Sequence, residues 1–225
     1  SPDGSRIAFT SRRSDDEAPA LYILRLDGGE AEKVLELPFG VMNPKWHPNG
    51  SSLIVGTKAI PALKGKWSAD DMLAMKREMK RRRDSKMTAK VTEDRVYRFF
   101  DHWLTDELSA HFLQLDLGSK SIKDLTPQSK DLFSSSSSFD FTISPDGSTL
   151  VYSSNSIPAP HHEVDNPDLF LLKLDDLGSA KNITNENRGP DSSPSFSADG
   201  KSIYYTRTNT PLYDGSSAKL WRSDV

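Results

Sequence analysis

One turn signature occurs four times along this chain, and it constrains the fold more than any other feature. Ser1-Pro2-Asp3-Gly4-Ser5-Arg6-Ile7-Ala8-Phe9 returns as His47-Pro48-Asn49-Gly50-Ser51-Ser52-Leu53-Ile54-Val55. It returns again as Ser144-Pro145-Asp146-Gly147-Ser148-Thr149-Leu150-Val151-Tyr152 and as Ser197-Ala198-Asp199-Gly200-Lys201-Ser202-Ile203-Tyr204-Tyr205. Proline presets φ for a tight turn, Asp or Asn tolerates the geometry, and glycine supplies a positive φ. The alternating or β-branched run after each turn reads as a strand leaving a hairpin.

A second motif comes after each turn at a delay. Leu21 to Asp27, His111 to Leu117 and Leu169 to Asp175 are apolar strands ending in polar turns, and Lys219 to Asp224 begins a fourth copy. Short outer strands are expected after the complete copies, at Glu32–Leu35, Ile122–Thr126 and Lys181–Thr184. Four short antiparallel strands per repeat describe a blade of a β-propeller. The spacings from Pro2 to Pro48 and from Pro145 to Ala198 are 46 and 53 residues, near the propeller period of about 40–50. The interval from Pro48 to Pro145 is about twice as long, and only one strand-turn-strand set comes after Trp46. It is therefore expected to hold one blade with a large insertion.

The expectation is an all-β fold: a β-propeller fragment of about four four-stranded blades, with a helical insertion in the second. Blades are placed at about 1–40, 41–127, 128–190 and 191–225, with the insertion at 58–108. The chain opens inside a repeat and closes within one, so it is expected to be part of something longer. Open strand edges in such an arc tend to pair, through missing blades or in a homodimer.

Composition narrows the functional classes. Hydrophobic residues make up 35% and charged residues 27%, with a net charge of −3. No apolar run approaches the roughly 18 residues of a membrane span, and no global field would recruit nucleic acid or anionic lipid. Neither membrane nor nucleic acid is expected as a partner. Cysteine is absent, which removes disulfides, thiolate metal sites and a cysteine nucleophile. His161, His162, Glu163 and Asp165 lack metal-ligand spacing, so the expectation is a polar loop, with no metal and no cofactor. Ser134 to Ser138 reads as a flexible connection.

The insertion has two parts. Ser68-Ala69-Asp70-Asp71 has the composition of a helix start, with Ser68 as N-cap and the carboxylates at the positive dipole end. Met72, Met75 and Met79 then recur on one face, a pattern of packing. Lys80-Arg81-Arg82-Arg83 stands at the end where cations complement the dipole. The stretch Asp94 to Asp106 combines four aromatics with Arg, Asp and His. Aromatics with a few polar groups make a pocket wall; Tyr97, Phe99, Phe100 and Trp103 would equally well anchor the insertion.

The tandem turns resemble those of TolB-like proteins and of the prolyl oligopeptidase family of serine peptidases. The insertion and the sequence DRVYRFFDHWLTDELSAHFLQLDL are similar to the second-blade region of dipeptidyl peptidase 5-like and acylaminoacyl-peptidase-like members. The resemblance implies an N-terminal propeller joined to a C-terminal α/β-hydrolase domain with a Ser-Asp-His triad. No G-x-S-x-G pentapeptide, the strained turn that exposes the nucleophile, occurs here, and no catalytic residue is assigned. For this segment the resemblance implies gating and recognition of a peptide substrate, in an exopeptidase releasing dipeptides or acylated residues from peptide N-termini. Related dipeptidyl peptidases hold the peptide amino group with a glutamate pair after a D-x-V-Y sequence. Here Asp94-Arg95-Val96-Tyr97 is succeeded by Arg98 and Phe99, so that pair is missing. Asp101 is the nearest replacement carboxylate, and Arg95 and Arg98 are candidates for a peptide carbonyl or carboxylate. With Tyr97, His102 and Trp103 they form the candidate substrate-binding set. A periplasmic or secreted compartment is favoured over a cytoplasmic one. The alternative reading is a TolB-like protein-binding propeller without catalysis.

Overall fold

The computed structural model describes residues 1–86, 89, 108–129, 139–155, 166–210 and 216–225, with the backbone alone of 98–99 and 102–103. Its architecture is four antiparallel sheets, each a meander of neighbouring strands. The first contains β1 (Arg6–Ser11), β2 (Ala20–Arg25) and β3 (Glu32–Leu35). The second contains β4 (Met42–Trp46), β5 (Ser52–Ala59), β8 (Ser109–Asp116) and β9 (Ile122–Asp124). Helix α1 (Ala69–Asp84) and a two-stranded ribbon of β6 (Arg98–Phe99) and β7 (His102–Trp103) lie between β5 and β8 in the chain. The third sheet contains β10 (Phe141–Ile143), β11 (Thr149–Asn155), β12 (Pro167–Lys173) and β13 (Asp176–Asn182). The fourth contains β14 (Asp191–Phe196), β15 (Ser202–Arg207) and β16 (Lys219–Asp224). This is the propeller-blade architecture expected from the repeats, with the helix inserted in the second blade.

The chain divides into two compact units. In the first, comprising residues 1–89 and 107–130, the first two sheets and α1 share one core. Leu21, Leu53, Val55, Leu113 and Met75 are fully buried there, each worth about 1.5–3 kcal/mol for an apolar side chain removed from water. Strand β5 is buried along nearly its whole length, which explains its continuous apolar run: a strand covered on both faces does not alternate. In the second unit, Val151, Leu169, Ile203 and Tyr205 form the corresponding core.

Each repeated turn immediately precedes the second strand in the second, third and fourth sheets, and β1 in the first. The glycine amide closes it by donating to the carbonyl three residues back, at 2.8–3.0 Å in all four copies. Gly4, Gly50, Gly147 and Gly200 have φ between +68° and +76°. The initial serine is as structural as the glycine. Ser144 Oγ donates to Asp146 Oδ1 at 2.6 Å and accepts from the Thr149 amide at 2.9 Å; Ser197 does the same with Asp199 and Ser202. These contacts hold the Asp146 carboxyl down at about 2, with the Ser144 hydroxyl the main cause.

Successive turns also lie near one another within each unit. A methyl group on Gly50 would meet Pro2 at 3.9 Å, and one on Gly200 would meet Pro145 at 3.4 Å. In the fourth sheet the polar tie is between Arg207, at the end of β15, and the fully buried Asp191, at the start of β14, at 2.8 Å. The guanidinium also lies 4.7 Å from the Trp221 ring. The last strand of the third blade differs from its expected bounds, since β13 begins at Asp176. A register shift between Leu171 and Lys173 resets its pairing, and turn composition carried no sign of that bulge.

Candidate functional site

The insertion leaves and re-enters the second blade at one point. Strands β5 and β8 pair without interruption from Ser52 and Asp116 to Ala59 and Ser109. The chain therefore departs at Ala59 and returns at its paired neighbour.

Polar contacts fix the first part of the insertion. Ser68 caps α1, and Asp71 completes a capping box: its Oδ2 accepts from the Ser68 amide at 3.0 Å and the Ser68 hydroxyl at 2.7 Å. The Lys66 amide adds a third donor at 3.0 Å. The Ser68 hydroxyl and these amides hold the Asp71 carboxyl below its ordinary range. The box depends on Gly65 (φ +48°), because a methyl there would overlap the Asp71 carboxylate.

Trp67, one residue before the cap, has φ +63°, a conformation that costs a bulky side chain about 1–2 kcal/mol. Its contacts offset that strain. The buried indole donates through Nε1 to Asp124 Oδ2 at 2.9 Å and meets the His111 ring edge-on, 5.7 Å between centroids. His111 is completely buried; its Nδ1 lies 3.0 Å from Asp124 and its Nε2 lies 2.8 Å from Ser109 Oγ. A carboxylate can only accept, so Nδ1 donates to Asp124, while Nε2 is hydrogen-bonded to the Ser109 hydroxyl. Asp124 also takes the Thr126 amide at 2.9 Å and lies 3.6 Å from Lys64 Nζ. Burial alone would raise the Asp124 carboxyl; the His111 and Trp67 hydrogen bonds outweigh it and hold the group below its ordinary range.

Ser109, His111 and Asp124 thus share the hydrogen-bond order of a hydrolytic triad. Ser109 is only 2% exposed and His111 not at all, so no scissile carbonyl reaches the hydroxyl. The chain of bonds fastens the insertion to its blade.

A second fastening joins α1 to the first blade. Lys76 donates to Glu36 at 2.7 Å and approaches Glu17 at 3.5 Å. Lys33 bridges Glu36 and Asp16 at 3.0 and 2.9 Å, and the Tyr22 hydroxyl donates to Asp16 at 2.7 Å. Met75 is fully buried and Met72 packs against the same core, so the methionine stripe is packing, as its spacing implied. In the basic run, Arg81 and Arg82 pair with Glu78 at 2.7 and 2.9 Å.

Of the six candidate substrate-binding residues, three belong to the ribbon. Arg98 pairs with Trp103, and Phe99 with His102, in antiparallel register. Arg95, Tyr97 and Asp101 lie outside the described residues, as do His161, His162, Glu163 and Asp165. Trp67, Ser109, His111 and Asp124 were missed as a set. The available signal was period two: His111 shares an inward face with Leu113 and Leu115, where an imidazole needs a polar partner.

No established protein-family model matches the chain. In sequence it is 36% identical over 155 residues to the uncharacterized peptidase YuxL of Bacillus subtilis, covering 69% of this chain and 21% of that protein. It is 25% identical over 230 residues to dipeptidyl-peptidase 5 of Porphyromonas endodontalis, covering 97% of this chain and 30% of the relative. The chain therefore spans less than a third of these curated relatives. Among solved structures, TolB from Acinetobacter baumannii superposes with a TM-score of 0.58 at 20% identity, over 99% of this chain and 39% of that one. Pyrococcus horikoshii acylaminoacyl peptidase superposes with a TM-score of 0.60 at 14% identity, over 100% of this chain and 30% of that one. The fold likeness defines the chain as a stretch of β-propeller blades. In sequence and fold together it matches the propeller portion of prolyl oligopeptidase family peptidases.

Proposed function

We propose that this chain is the substrate-recognising propeller portion of a serine exopeptidase that removes dipeptides or acylated residues from peptide N-termini. In this reading an α/β-hydrolase domain of the same polypeptide supplies the catalytic serine. The propeller gates access to it, and the insertion contributes contacts to the peptide. The observation that supports the recognition role is the ribbon register, which pairs Arg98 with Trp103 and Phe99 with His102. A paired backbone lowers the ordering that binding a peptide would otherwise require, and each group ordered on binding subtracts from affinity. Asp101 is assigned to the peptide's free amino group, and Arg95 and Arg98 to a peptide carbonyl or carboxylate. Tyr97, His102 and Trp103 form the wall.

Two measurements on the full-length parent test this. Labelling with a fluorophosphonate probe should mark a product well above 25.0 kDa that carries these sequences. An unlabelled product, with other serine hydrolases labelled in the same lysate, would leave a TolB-like binding propeller. Asp101→Asn should raise KM for substrates with a free amino group and spare blocked ones; an unchanged KM removes Asp101 from the assignment.

A further inference from the structure

We propose that the outward face of α1 is a docking ledge for an acidic polypeptide segment. Its inward side is committed: Met75 to the core, Lys76 to Glu36, and Arg82 to Glu78. The exposed side presents Leu73, Arg77 and Lys80, with Arg81 beside them paired to Glu78. Six cations stand against four carboxylates in this helix, whereas the whole chain carries a net charge of −3. The ledge is therefore a local inversion of the protein's charge.

The helix dipole accounts for only part of it. That dipole favours cations within the last turn, which here means Arg81, Arg82 and Arg83. Arg77 and Lys80 come earlier in the helix. Neither has an ion-pair or hydrogen-bond partner among the described residues, although carboxylates are plentiful in the chain. Unpaired, exposed cations at helical spacing are a surface an anionic ligand can neutralise.

Charge and composition choose among anions. Arg81 is already taken by Glu78, so Arg77 and Lys80, neighbours one turn apart on the helix surface, are the cations that acidic side chains would meet. A bilayer is a poorer match, because the methionine face that would enter the acyl region is packed in the core. A single-stranded nucleic acid would want stacking aromatics, and α1 has none. The ledge would serve a binding propeller equally well, so it is independent of the peptidase reading.

The test uses the intact chain and a short labelled peptide of alternating Glu and Ser, read by fluorescence anisotropy. Binding should be saturable and lost when Gln replaces Glu in the peptide. It should also weaken at high salt, as exposed pairs do. The variant Arg77→Glu/Lys80→Glu should bind roughly tenfold more weakly. Both side chains are exposed, so its circular dichroism should match the parent's; Arg77→Gln/Lys80→Gln gives a smaller loss and guards against misfolding. No binding by the parent chain, or equal binding by both variants, overturns the proposal. So does capture of phosphatidylglycerol vesicles or a single-stranded oligonucleotide while the acidic peptide is ignored.

Discussion

The Trp67 indole donates to the Asp124 carboxylate at 2.9 Å, joining the residue before the α1 cap to the last strand of the blade that the insertion interrupts. Trp67→Phe keeps the ring and removes the donor, and should cost about 1–2 kcal/mol in urea unfolding. Asp124→Ala should cost more, because Trp67, His111 and the Thr126 amide all lose their acceptor. If Trp67→Phe unfolds at the parent's midpoint, the insertion is not held by this bond.

The repeated turns predict an acid response. Asp146 is held at about 2 against an ordinary value of 3.8, so its folded-state pKa is depressed. Its contribution to stability is complete above about 3.8 and is lost as pH falls through about 2. Ser144→Ala removes the main cause, and the carboxyl midpoint, followed by NMR, should move up towards 3.8. A midpoint that stays put would assign the depression to Ser148 instead.

Gly65 can be separated from an ordinary turn glycine by a double-mutant cycle. Gly65→Ala adds left-handed strain of about 1 kcal/mol and also displaces the Asp71 carboxylate from the cap. It should therefore destabilise less in an Asp71→Ala background than in the parent. Gly4→Ala has the same kind of backbone but an open surround, and should show the strain alone. Additivity in the Gly65–Asp71 cycle would mean that the glycine does not serve the cap.

The Arg207–Asp191 pair should behave as a buried ion pair. Asp191 is fully buried and the Arg207 side chain only 15% exposed, so Arg207→Ala leaves a carboxylate without its cation and should cost about 3–5 kcal/mol. Replacing both residues with leucine should cost much less than that single change. Guanidinium unfolding of the two variants decides; equal losses would mean that packing, not charge, is what Arg207 supplies.

Much of the fold could be read in advance because it is written locally. Each turn names itself within a few residues, and Ser68 with Asp71 marks a helix start without reference to anything distant. The serine that opens three of the turns was legible as a letter but not as a contact, since its partners are fixed only once the loop closes. The fastening of the insertion was hidden for the opposite reason. Trp67 and Asp124 are 57 positions apart, and His111 looked like one member of an apolar strand. No periodicity links residues that meet only after two strands have paired around a long excursion. The recognition stretch stood out by its aromatics among Arg, Asp and His and took its individual roles from resemblance, and the structure adds only the register joining Arg98, Phe99, His102 and Trp103.

That Ala59 and Ser109 are paired neighbours bears on how such a protein diversifies. A segment that begins and ends at adjacent positions on a finished ladder can be lengthened, shortened or exchanged while the ladder stays closed, since loop-closure entropy grows only slowly with length. The blade is in effect a socket. Lineages could refit it with different inserts, acquiring new ligand preferences while the rest of the propeller is inherited intact.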